Sequence, residues 1–117
     1  MVATDYSREI KEDILTEVVH LSRATKDHAE AFKKLLLRDI DEGFKKLIVD
    51  LSECMFMDST FLSSLVVALK FSSKINGTIK LVAAHHDTMA ILELTGMVKV
   101  FDVFNNRSEA LKSFNTK

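Results

Sequence analysis

Cys54-Met55-Phe56-Met57-Asp58-Ser59-Thr60-Phe61-Leu62 is the stretch on which the fold turns. A short apolar run ends in Asp-Ser-Thr, and an apolar pattern at helical spacing follows at once. Leu62, Leu65, Val66 and Leu69 form one stripe of a helix over 59–75. Ahead of it, Leu47-Ile48-Val49-Asp50-Leu51 is short and mostly apolar, the mark of a strand buried on both faces. A small hydroxyl therefore stands at a helix N-terminus. Exposed backbone N–H groups and the helix dipole there favour a negative group such as a phosphate.

Residues 14–21 are rich in β-branched and apolar types and read as a strand. Residues 1–13 are polar and form an edge strand or a loose N-terminus. Asp27 with Glu30 resembles a capping box. Ala29, Phe32, Leu35, Leu36 and Ile40 then repeat at helical spacing and predict a helix over 27–40, closed by Gly43.

Asn76-Gly77 signals a turn, and 78–83 reads as a third buried strand. Asp87 is placed to cap a short helix carrying Met89, Ile91, Leu92 and Leu94, with Gly96 as its αL terminator. Val100-Phe101-Asp102-Val103-Phe104 reads as the last strand. Ser108, Glu109, Ala110, Leu111 and Phe114 mark a closing amphipathic helix. Strands alternate with helices from residue 14 onward. The expectation is one α/β domain over 1–117, with a mostly parallel central sheet of about four to five strands and helices packed against it.

Composition narrows the function. The chain has 117 residues, enough for one core and not for two. It is 47% hydrophobic and 28% charged, which fits a globular protein and argues against disorder. Sixteen Lys plus Arg nearly balance seventeen Asp plus Glu, so no basic excess exists to drive nucleic-acid binding. The charged N-terminus does not read as a signal peptide, and no apolar run is long enough for a membrane span. The single Cys54 suits a reducing cytoplasm.

Three readings compete at Asp58-Ser59-Thr60. The plainest is a helix cap by Asp58 or Ser59, worth about 1 kcal/mol. A nucleophilic serine would want glycines on both sides, but Met57 and Phe61 flank it, and none of His20, His28, His85 and His86 sits at a diagnostic place. A phosphoacceptor hydroxyl is the third. A phosphoryl group on Ser59 would add about −1.5 to −2 charges beside Met55, Met57 and Phe61 and disrupt an apolar interface there.

Other constellations carry less. Asp50 lacks the acidic pair that a Mg²⁺-dependent aspartyl phosphoacceptor needs, since 21–24 reads Leu-Ser-Arg-Ala. His85-His86-Asp87 has no second ligand pair at metal spacing and reads as a turn and cap. Cys54 reads as a small buried hydrophobe. Gly43, Gly77 and Gly96 are too scattered for a phosphate-binding loop. Met89 and Met97 read as core filler. No catalytic residue, metal or cofactor is expected.

The ordered set resembles a known family, the sulfate transporter and anti-sigma factor antagonist (STAS) domain. The matching residues are Leu47-Ile48-Val49-Asp50-Leu51-Ser52, Phe56-Met57-Asp58-Ser59-Thr60 and Leu62. Gly77 to Val82, Leu94-Thr95-Gly96-Met97-Val98-Lys99-Val100-Phe101 and Ser108-Glu109-Ala110-Leu111 follow. The likeness covers about residues 14–114, nearly the whole chain.

The resemblance implies a switchable binding module. In stand-alone members the serine after the motif aspartate is phosphorylated by a kinase-type anti-sigma factor, and by that match the acceptor is Ser59. The unphosphorylated form binds the anti-sigma factor, the phosphorylated form does not, and a phosphatase resets it. Asp58, Thr60, Phe61, Met55 and Met57 are then the expected partner-binding residues. The alternative with the same fold is a non-switching scaffold or a subunit of a sensory or lipid-transport complex. This chain departs from the family in having Phe61 where glycine is usual, and Ser22-Arg23-Ala24-Thr25 in place of a Gly-x-apolar-Asp loop.

Overall fold

The computed structural model describes residues 4–115. The chain opens on β1 (Tyr6–Lys11) and β2 (Ile14–Val19), paired antiparallel around a turn in which Glu12 adopts φ 57°. Polar 1–13 thus contributes an edge strand over 6–11, while 1–3 lie outside the described residues. A two-residue strand β3 (Arg23–Ala24) leads into α1 (Lys26–Asp41). Then come β4 (Lys46–Asp50), β5 (Phe56–Met57), α2 (Ser59–Lys74) and β6 (Thr78–Val82). Helix α3 (His86–Leu94), a 3-10 turn (Met97–Lys99), β7 (Val103–Phe104) and α4 (Arg107–Phe114) complete the domain.

The main sheet has five strands in the order β1-β2-β4-β6-β7, and every pairing after the first is parallel. A second, parallel pair joins β3 to β5, with Arg23 opposite Phe56 and Ala24 opposite Met57. Sequence reading anticipates the mostly parallel sheet but not this pair, which is too short to leave a periodicity.

Alternation along the strands sorts the core into two layers. Leu15, Val19, Leu47, Val49 and Leu81 pack with Phe32 and Leu36 of α1, Phe61 and Leu65 of α2, and Leu92 of α3. Ile14, Ile48 and Val82 face the other way and meet Ala110, Leu111 and Phe114 of α4. Helices therefore cover both faces, as a parallel sheet requires.

Three local expectations are corrected. Helix α1 is capped at Thr25, not Asp27: the Thr25 N–H reaches His28 Nδ1 at 3.3 Å, and Glu30 pairs instead with Lys33. Helix α3 is capped at His85, which leaves Asp87 inside the first turn, where a carboxylate suits the dipole. The last strand is confined to 103–104. Gly96 turns the chain at φ 76°, and the 3-10 turn that follows takes up residues up to Val100, with the Phe101 N–H donating to the Met97 carbonyl.

Candidate functional site

The loop after β4 is held from both sides before it reaches α2. The Met55 and Phe56 N–H groups donate to the Ser22 carbonyl, and the Asp58 N–H donates to the Ala24 carbonyl. On the far side the buried Thr88 hydroxyl of α3 donates to the Cys54 carbonyl at 2.8 Å. The start of α2 is therefore fixed relative to the start of α1.

Asp58 is the N-cap of α2, as the cap reading expects. Its Oδ1 accepts from the Phe61 N–H at 2.9 Å. Its Oδ2 accepts from the Lys26 N–H, the first residue of α1, at 2.8 Å. One carboxylate thus caps two helices, across a separation of 32 residues in the chain. Both helices bring their positive dipole ends to the same place, and a single negative group between them satisfies both. No sequence pattern signals the second bond, because its donor belongs to another helix.

Ser59 occupies the first position of α2 and is exposed. Its carbonyl accepts from the Ser63 hydroxyl, and its own hydroxyl makes no hydrogen bond among the described residues. Thr60 beside it is exposed, and Met55 is 54% exposed. Thr60 also lines a shallow groove of about 180 Å³ between α1 and α2, with Ser63, Ala29 and Lys33. Arg23 lies next to this surface, its guanidinium 4.4 Å from the centre of the Phe56 ring.

Two of the residues expected to face a partner do not. Phe61 is fully buried and stacks on Phe32 of α1, and Met57 lies in the same core. The reason is helical phase. The buried face of α2 runs Phe61, Leu65, Ala68 and Ser72, spaced four, seven and eleven residues from its first member, and that face points at α1. That spacing is legible in the chain and would have placed Phe61 inside. Alternation in β5 buries Met57 and leaves Phe56 half-exposed.

The remaining singled-out groups have structural partners. Asp50 is buried; its Oδ2 accepts from Arg107 Nε at 2.8 Å and its Oδ1 from the Ser52 N–H at 2.9 Å, tying β4 to α4. His20 meets the Ser7 hydroxyl and Glu53, His28 meets Thr25, and no histidine bonds the Ser59 hydroxyl among the described residues. Cys54 is wholly buried, and burial pushes its thiol above the ordinary range, as a packing role requires.

Comparison with known proteins agrees with this architecture. A Thermotoga neapolitana protein named as a candidate anti-sigma factor antagonist is 28% identical over 87 residues, which are 74% of this chain and 77% of that protein. Among solved structures, the chain is similar to an anti-sigma factor antagonist from Mycobacterium paratuberculosis. The TM-score is 0.86 at 22% identity, over 99% of this chain and 100% of that one. The phosphorylated form of the Bacillus cell fate determinant SpoIIAA also has this fold. Its TM-score is 0.72 at 13% identity, over 93% of this chain and 98% of that one. The model of the STAS domain family matches residues 25–110, from the cap of α1 into α4. The chain belongs to the STAS domain family.

Proposed function

We propose that this protein is an anti-sigma factor antagonist whose binding is switched by phosphorylation of Ser59. The observation that carries the reading is the contrast between neighbours. Asp58 has both carboxylate oxygens committed to backbone, whereas Ser59 is exposed with an uncommitted hydroxyl at a helix start. Named relatives and fold neighbours of the antagonist type, one of them solved in a phosphorylated form, support the same reading.

The partner is an anti-sigma factor with kinase activity, and it supplies ATP, Mg²⁺ and the base. Ser59 Oγ attacks the γ-phosphorus, ADP leaves, and the serine proton passes to the partner's base. The product carries about −1.5 to −2 charges next to Asp58 and the exposed Met55. Binding fails because like charges crowd one helix start and because an apolar contact cannot form over a phosphate. A phosphatase in the same cytoplasmic compartment hydrolyses the ester to inorganic phosphate and restores the hydroxyl. Asp58 serves by positioning Ser59, and Thr60 and Met55 supply contact.

The test is to incubate the protein with its cognate kinase and ATP and to map the modified residue by mass spectrometry. Ser59→Ala is expected to abolish incorporation while keeping partner binding, and Ser59→Asp to weaken binding. Phosphate on Thr60 alone, or equal affinity of the two variants, overturns the proposal.

A further inference from the structure

A second groove of about 820 Å³ lies at the far ends of α1 and α2, within the roughly 300–1,000 Å³ range of small-molecule sites. Leu37 and Ile40 of α1, Phe71 of α2 and Ile75 just beyond it give it an apolar lining. Phe71 is 45% exposed, an aromatic ring left open to solvent in the groove. The lining contains no hydroxyl, amide or imidazole side chain. Its polar groups are charged, so the groove is built for an apolar body with an ionic end and not for a sugar or a base.

The sign of that end follows from the charges. Lys34, Arg38, Lys45 and Lys74 line the groove against one carboxylate, Asp41. Arg38 is paired with Asp39 at 3.6 Å; the C-terminal ends of the two helices add about −0.5 charge each, and two of the other three cations are enough to offset these and Asp41. Lys34 and Lys45 have no ion-pair partner among the described residues. Lys74 Nζ lies 4.9 Å from the Phe71 ring centre, which places an ammonium at the edge of the apolar lining. An anion attached to an apolar chain satisfies both features.

We propose that this groove binds a monomeric, single-chain fatty carboxylate. Its chain lies along Leu37, Ile40, Phe71 and Ile75, and its head group meets Lys45 and Lys74. Phe71 stands twelve positions beyond Ser59 on the same helix, about 18 Å along the axis, so this site is separate from the helix start and does not depend on its function.

The experiment titrates the whole protein with dodecanoate and with dodecanol, both kept below aggregation, by calorimetry. Dodecanoate is expected to saturate at one per chain and to bind about tenfold or more tightly than the alcohol. Phe71→Ser should weaken both ligands about tenfold, and the double variant Lys45→Gln, Lys74→Gln should weaken the acid and leave the alcohol unchanged. Phe71, Lys45 and Lys74 are all exposed, so unchanged far-UV circular dichroism is expected and separates lost binding from lost fold. Equal affinity for acid and alcohol, binding untouched by both sets of substitutions, or association with phosphatidylglycerol vesicles but not with monomeric dodecanoate overturns the proposal.

Discussion

Phe61 stacks on Phe32 with ring centroids 4.9 Å apart and planes 17° from parallel, which fastens the first turn of α2 to the middle of α1. Tyr6 of the edge strand also meets Phe32, its ring 5.1 Å away and tilted by 31°. The Phe61 ring is thus a core element. It leaves the neighbouring surface to Ser59, Thr60 and Met55.

Phe61→Ala is accordingly expected to cost about 3–5 kcal/mol of stability in urea unfolding, the usual result of emptying an aromatic site. Phe61→Leu should cost clearly less. A loss under about 1 kcal/mol for the alanine variant contradicts the core role.

Asp58→Ala removes two caps at once. At about 1 kcal/mol per cap the expected loss is about 2 kcal/mol. An asparagine side chain has a single acceptor oxygen, so Asp58→Asn should lose about half as much. Hydrogen exchange at the Lys26 and Phe61 amides reads the two bonds separately, and protection at both should fall in the alanine variant.

Ser59→Asp should leave stability within about 0.5 kcal/mol of the parent. The helix dipole favours the added carboxylate, the adjacent Asp58 opposes it, and solvent screens both. Thermal unfolding checks this. It also shows whether a binding defect in that variant belongs to the interface or to the fold.

A buried acid cluster gives a pH dependence. Glu17 of β2 and Asp39 of α1 are both buried, and one oxygen of each, Glu17 Oε2 and Asp39 Oδ2, has no hydrogen-bond partner among the described residues. A proton on Glu17, donated to Asp39, would satisfy both atoms, while Arg8 of β1 holds Asp39 Oδ1 at 2.7 Å. Burial, followed by the hydrogen bond to Asp39 and its charge, pushes Glu17 up to about 8 from its ordinary 4.5. The folded state then keeps a proton that the unfolded chain releases. Its contribution to stability is complete below about pH 4.5 and declines, at up to about 1.4 kcal/mol per unit, as pH rises through about 8. Glu17→Gln should flatten that decline in unfolding temperatures and equal or exceed the parent at about pH 8. Parallel curves for the two proteins contradict a proton held on Glu17.

Much of this fold is legible in the chain because its core elements follow simple periods. The apolar run at Leu47 to Val49 and the stripe of α1 through Phe32, Leu36 and Ile40 place the central strand and its covering helix. What escapes depends on contacts across the sequence. Nothing local marks Arg23-Ala24 as a strand, because its partner is Phe56-Met57. Phe61 is a different case: its spacing to Leu65, Ala68 and Ser72 is local and legible, and it is misplaced only because the stripe read as Leu62, Leu65, Val66 and Leu69 lies to one side of that face. At the helix start the hydroxyl and its cap are legible, but the carboxylate's bond to Lys26 appears only when the two helices meet.

The two hydrogen bonds that Asp58 accepts separate its role from that of the serine beside it. An aspartate that joins two helix starts is kept for architectural reasons, whether or not a partner ever docks beside it. Its presence here therefore says nothing about signalling. Under the proposed switch only a change at Ser59 bears on signalling, because Asp58 stays tied to both helix starts with or without that hydroxyl.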